Sequence, residues 1–277
     1  MKPLLLFLAV ALVLGIAFLA TLYLTQERLI YFPRSYPGDH PALAGVEQVP
    51  FSVEGKRQVG FLLGDPGDGA PAPERVWWIF GGNGSVALDW YGLVSRARPG
   101  PGTAVILFDY PGYGFCEGRP HPERIQRSVD TLFSLLASRW DLASGDLAER
   151  SSALGHSLGA AVGLEAARRH EFPRAVGISP FTSMSEMARR QVGPLLGRFL
   201  RHDYDNVASL EGMAERTPSP EVLLFHGTAD GLIPCAMSET LARSHPGMIE
   251  LVLVPGAGHN DVIAPLEPTL SALLSNR

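Results

Sequence analysis

Ser157 sits at the centre of Gly155-His156-Ser157-Leu158-Gly159, between the apolar pair Ala153-Leu154 and a helix-like run from Ala160 to Arg169. A strand entering a tight Gly-x-Ser-x-Gly turn that opens a helix is a nucleophile elbow. The serine occupies a sharp turn, and side chains two positions to either side would collide there. The N–H of Leu158, at the start of the helix, faces the charge that forms when the serine attacks a carbonyl. Such a serine needs a base, and the base needs a carboxylate. Among the eight histidines, His259 follows an apolar run within Gly256-Ala257-Gly258-His259-Asn260, where small neighbours leave an imidazole room. His156 adjoins the serine, points elsewhere and is expected to pack. His226 ends a strand and is expected to bond backbone. His40, His121, His170, His202 and His245 read as surface or cap positions. Asp230, in His226-Gly227-Thr228-Ala229-Asp230-Gly231, follows a strand and precedes His259. The order Ser157, Asp230, His259 is the order of a triad on a parallel α/β sheet. Glu186 lies too far along for a strand end, and Asp261 reads as a helix cap. A second oxyanion donor is expected from the loop Gly81-Gly82-Asn83-Gly84-Ser85. A plain tight turn explains those glycines equally well. A phosphate-binding loop would need a Lys-Ser/Thr continuation that is absent.

The elements that must position these groups alternate. Val46–Val53 and Gln58–Leu63 read as strands joined at Glu54-Gly55-Lys56. Gly64–Pro73 reads as a surface loop. Arg75–Phe80, Ala104–Phe108, Arg174–Ile178, Glu221–Phe225 and Ile249–Val254 read as strands. Val86–Arg98, His121–Trp140, Pro234–Ser244 and Val262–Leu274 read as helices. Strands alternating with helices predict an α/β fold: a mostly parallel sheet with helices on both faces and chemistry at the carboxyl ends of the strands. Residues 183–220 interrupt the alternation before the acid-bearing strand. They could form a small lid or an ordinary crossover helix with a long loop.

From Pro3 to Leu24 no charged residue occurs, a length that matches the ~20 residues of a membrane-crossing helix. The stretch is too long for a signal-peptide core and lacks a clean small-x-small site. A single-pass anchor over residues 1–25 is expected, then a connector over 26–45 and a catalytic domain over 46–277. The expected orientation puts that domain outside the cytoplasm, on a weak charge bias of Lys2 against Arg28 and Arg34. The chain has 277 residues and a net charge of −5, so nucleic acid is not an expected partner. Cys116 and Cys235 form no disulfide framework, and no Cys and His stand at close metal-ligand spacing. Neither a metal nor a cofactor is expected.

Taken together, the apolar N-terminus with Leu29-Ile30-Tyr31-Phe32-Pro33, the loop Asp109-Tyr110-Pro111-Gly112-Tyr113-Gly114 with Glu117-Gly118, the elbow, Ser179-Pro180-Phe181, His226 to Asp230 and Gly258-His259 carry a resemblance. The chain resembles the α/β-hydrolase superfamily, specifically its membrane-anchored Bem46-like or ABHD-type branch. The likeness covers nearly the whole chain and is weakest over residues 181–220. It implies an α/β-hydrolase fold, and it implies that Asn83 supplies the second oxyanion N–H beside Leu158. Gly81 stands where that family usually carries His, Pro111 where Arg is common, and Cys116 where Ser is common. The expected activity is hydrolysis of a carboxylic ester or thioester of an acyl or lipid-like substrate, with Trp90, Phe181, Leu232 and Ile233 as candidate pocket residues. A serine peptidase of the aminopeptidase-like type and a catalytically silent binding protein are the alternatives.

Overall fold

Strands buried along nearly their whole length need cover on both faces. Three of them form the middle of an eight-stranded sheet: β3 (Arg75–Phe80), β4 (Thr103–Phe108) and β5 (Ser151–His156). The computed structural model describes residues 2–37, 43, 45–64, 71–194, 197 and 200–275. Its remaining strands are β1 (Val46–Val53), β2 (Lys56–Leu63), β6 (Arg174–Ile178), β7 (Glu221–Gly227) and β8 (Ile249–Val254). They run in the order β1-β2-β4-β3-β5-β6-β7-β8. β1 and β2 form an antiparallel hairpin at one edge, β2 joins β4 antiparallel, and all other pairings are parallel. Alternate residues of each strand point to opposite faces. Trp78, Phe80, Ile106 and Phe108 therefore face one apolar layer, and Trp77, Ile79, Val105 and Leu107 the other.

The first layer is closed by α3 (Pro122–Arg139), α4 (Ser144–Arg150), α5 (Leu158–Arg169), α7 (Asn206–Ala214) and α8 (Ala236–Ser244). The second is closed by α2 (Tyr91–Ala97), the 3₁₀ turn before it (Ala87–Trp90) and α9 (Ile263–Ser275). The expected helix Val86–Arg98 is thus a 3₁₀ turn running into an α-helix. α3 starts where Pro122 follows His121, whose Nδ1 accepts from the Glu123 N–H.

Residues 183–220 divide into two parts. α7 is a crossover helix, capped by Asp205 and buried through Leu210 and Met213 against α5. The chain leaves at Ser183 and returns at Asp205, where the two form a bridge. Within that excursion, α6 (Met184–Val192) buries none of its residues.

At the N-terminus, α1 runs from Lys2 to Ile30. Pro3–Thr21 is long and apolar enough to cross a membrane, and none of that stretch is buried in the protein. The helix continues unbroken beyond it and ends against the domain. There Glu27 pairs with Arg119, and Gln26 Oε1 accepts from the Arg201 N–H.

His202 corrects the surface reading: it is 4% exposed, against the rings of Tyr31 and His121. No helical periodicity had marked its surroundings, because its cover is the end of α1. His40 and most of the loop read at Gly64–Pro73 lie outside the described residues. Both cysteines are free, and Cys116 is buried.

Candidate active site

Ser157 is placed by the junction of β5 and α5. Its backbone adopts φ 56° and ψ −118°, a strained conformation for a residue with a side chain. Two close approaches explain the flanking glycines. A Cβ on Gly155 would overlap the carbonyl of Gly159, and one on Gly159 would overlap the carbonyls of Phe80 and Gly81. The elbow is thereby pressed against the end of β3, and the Ser157 N–H is held by the Ile178 carbonyl at 2.8 Å.

Asp230 lies three residues beyond β7 and His259 five beyond β8. A Cβ on Gly227 would overlap the carbonyl of Ala257, so the two strand-end loops are in contact. The three side chains meet. His259 Nδ1 donates to Asp230 Oδ2 at 2.7 Å, and its Nε2 accepts from the Ser157 hydroxyl at 3.0 Å. The carboxylate thus fixes the tautomer that leaves Nε2 free to take a proton. Asp230 Oδ1 accepts the N–H groups of Leu232 at 2.9 Å and Ile233 at 2.8 Å. Burial raises the Asp230 carboxyl, but the His259 bond and the two backbone N–H bonds outweigh it, and the group stays below the usual carboxylate range. Its side chain is fully buried.

Two further histidines hold this pair, and the sequence reading gave neither that role. His226 Nε2–H donates to the Ile233 carbonyl at 2.8 Å and lies 3.2 Å from Asp230 Oδ2, while its Nδ1 accepts from Ser238 at 2.6 Å. Burial keeps it neutral, lowering its pKa despite the nearby carboxylate. His156 Nε2–H donates to the main-chain carbonyl of His259 at 3.0 Å. Burial, with the neighbouring His259 adding to it, pushes His156 down to about 4. Position four residues before the acid was the one available sign for His226.

Beside Ser157 and His156 lies the loop Gly81–Ser85. A Cβ on Gly82 would sit 3.7 Å from Ser157 Cβ, so this backbone adjoins Ser157. Leu158 is the first residue of α5, and the N–H groups of a first helical turn have no intrahelical partner. The Asn83 N–H likewise meets no acceptor among the described residues. Where Gly81 replaces the family's usual His, Ser85 and the Trp90 indole fill the space: a Cβ would stand 2.9 Å from Ser85 Cβ. Tyr110 OH donates to the Gly81 carbonyl at 2.6 Å and Tyr113 OH to that of Asn83 at 2.7 Å. Beneath them Asp109 accepts from the Ala87 N–H and Tyr36 OH, yet burial pushes it up to about 6.

Of the candidate pocket residues, Leu232 and Ile233 flank the acid, Leu232 being 52% exposed and Ile233 buried. Trp90 is buried behind Gly81, and Phe181 is buried in the layer that faces α5. A groove of about 550 Å³ between α3, α5 and α7, lined by Asp130, Glu165 and Tyr204 among others, contains none of these residues. Among the described residues no cluster could hold a metal ion.

An eight-stranded, mostly parallel sheet carrying a serine on a strained strand-to-helix turn is the architecture of α/β hydrolases. The Alpha/beta hydrolase family model matches residues 69–218, more than half of the chain, and the chain belongs to that family. An uncharacterised protein of Mycobacterium tuberculosis is 30% identical over 250 residues, covering 85% of this chain and 81% of that one. Human alpha/beta hydrolase domain-containing protein 17C is 27% identical over 179 residues, 65% of this chain and 50% of that protein. A solved esterase of Pyrococcus furiosus superposes with a TM-score of 0.65 at 14% identity, covering 89% of this chain and 96% of that one.

Proposed function

We propose that the protein is a serine hydrolase that cleaves a carboxylic ester or thioester through an acyl-enzyme. The reading rests on the continuous hydrogen-bond chain from Ser157 through His259 to the buried Asp230. His259 Nε2 takes the Ser157 proton as Oγ bonds to the carbonyl carbon. The oxyanion is met by the N–H groups of Leu158 and Asn83. As the tetrahedral intermediate collapses, the carbon–oxygen or carbon–sulfur bond breaks, and the leaving alcohol or thiol receives the proton from His259. Water, deprotonated by the same imidazole, then releases the acid and restores Ser157.

The domain plan in this reading is an anchor over 1–25, a connector over 26–45 and a catalytic domain over 46–277. The apolar helix crosses a bilayer once, with the catalytic domain outside the cytoplasm, and favours acyl or lipid-like substrates. Labelling with a fluorophosphonate probe tests the nucleophile. Wild type should label and Ser157→Ala should not, with ester turnover falling by about six orders of magnitude. A folded wild type that neither labels nor hydrolyses p-nitrophenyl esters would make this a silent binding protein.

A further inference from the structure

Residues 30–36, the last residue of α1 and the six that follow it, make an unusual set of contacts. Asn83 Nδ2 donates to the carbonyl of Ile30 at 2.8 Å, the last residue of α1. The carbonyl of Asn83 accepts twice, from the Phe32 N–H at 3.0 Å and from Tyr113 OH at 2.7 Å. Thus the amide nitrogen and the main-chain carbonyl of Asn83 are tied, and the preceding peptide, which carries the Asn83 N–H, is held at its other end, where the Gly82 carbonyl accepts the Ser85 N–H at 3.1 Å. The clamping segment is itself fixed on both sides. Buried Tyr31 shares a 3.1 Å hydrogen bond with Tyr204. The Arg34 carbonyl accepts the Gly114 N–H at 2.8 Å, and Tyr36 OH donates to Asp109 at 2.8 Å while accepting the Leu88 N–H.

We infer that residues 30–36 are a working part of the oxyanion loop, and that the side-chain amide of Asn83 is a positioning group that aims its own main-chain N–H at the oxyanion. This rests on the serine-hydrolase reading above. A glycine-rich loop has a large conformational entropy to lose, and an oxyanion donor helps only if it is already aimed when charge develops. The clamp supplies that aim from the end of a helix rather than from the loop's own sequence. It also gives the Asn83 amide a task other than touching substrate: one of its two N–H donors is already committed to Ile30. Ile30 and Phe32 contribute through main-chain atoms, so the junction depends on the path of the backbone out of α1.

The test uses the full-length protein in detergent micelles, with p-nitrophenyl butyrate as substrate and butaneboronic acid as a tetrahedral mimic that bonds to Ser157. Asn83→Ala removes the clamp but keeps the N–H, and Tyr113→Phe removes one of the two donors to the Asn83 carbonyl while keeping its buried ring. Asn83→Ala should lower kcat by about tenfold to a hundredfold with little change in KM, since misaiming by an ångström has that scale of effect. Boronate affinity should weaken by the same factor. Tyr113→Phe should shift both quantities the same way by a smaller factor. Should Asn83→Ala fail to fold, Tyr113→Phe carries the test alone. An Asn83→Ala enzyme with wild-type kcat and boronate affinity overturns the inference. A loss confined to Asn83→Ala, with Tyr113→Phe normal, also overturns it, because the amide would then contact the oxyanion directly. If wild type itself neither turns over ester nor labels with fluorophosphonate, the hydrolase reading fails and the clamp with it, an outcome told apart by the wild-type control.

Discussion

The two sides of Ser157 are held in place by opposite means. On the base side, apart from the His259 ring that Asp230 itself orients, the groups that hold the Asp230 carboxylate come from within four residues of it: the N–H groups of Leu232 and Ile233, and the His226 ring. On the oxyanion side, Gly81 and Asn83 are fixed by Tyr110, Tyr113, Ile30 and Phe32, between 29 and 53 residues away. A locally built acid is assembled whenever β7 and its turn form. A loop rich in glycine has no such local instruction, so its geometry depends on remote parts of the chain docking correctly. The base side should therefore fail through direct substitutions, and the oxyanion side through changes that touch no reacting atom.

The largest effect is expected at Asp230. Asp230→Asn should lower kcat by roughly 10⁴, because the amide favours the wrong His259 tautomer. Near-normal turnover would mean that another group orients the imidazole and would break the comparison at its base. His226→Phe comes next: it fills the site but deletes the donor near Asp230 and Ile233, and should cost roughly tenfold in kcat through misalignment. A loss as large as that of Asp230→Asn would promote His226 from support to participant.

Smallest, but opposite in sign, are two effects on stability. His156 is held near 4 against an ordinary 6.5, so between those values the folded state binds fewer protons than the unfolded. Its contribution is lost as pH falls from 6.5 towards 4. Asp109 is raised to about 6 from an ordinary 3.8, so the folded state binds more protons there, and stability is lost as pH rises from about 4 to 6. His156→Gln should flatten the first slope and Asp109→Asn the second, each by a few degrees in thermal midpoint between pH 4 and pH 7. Identical slopes in wild type and both variants would show that neither burial governs its side of the serine.

Legibility in the sequence follows the same division. Arg75–Phe80, Arg174–Ile178 and Ile249–Val254 have the same boundaries in the reading and in the sheet, since short runs rich in apolar β-prone residues between turn residues leave little choice. His259 could be placed at a strand end for that reason, Ser157 and Asp230 from their turn motifs after shorter apolar runs, and the three side chains meet. α4 escaped notice because its sequence, Ser144–Arg150, is polar with only Leu147 and Ala148 buried. α7 was obscured by the polar run His202–Asn206, whose last two residues are its cap and first turn. The holding of Asn83 was not readable at all. Ile30 and Phe32 act there through main-chain atoms, which no residue type reports, and the partners are distant in sequence.

α1 passes from its apolar stretch, Pro3–Thr21, to Ile30 without a break, and Ile30 is bonded to the loop beside Ser157. At 1.5 Å per residue, the nine residues beyond Thr21 set a helix length of roughly 14 Å. A flexible tether of that many residues would let the catalytic centre sweep a volume. A continuous helix narrows that freedom to tilting about the end of the apolar stretch. If the apolar stretch lies in a bilayer, as proposed above, encounter becomes a two-dimensional search in which substrate per unit of membrane area, rather than per unit of volume, is what counts. Inserting residues between Thr21 and Glu27 would lengthen that helix by a known step, while the groups around Ser157 stay as they are.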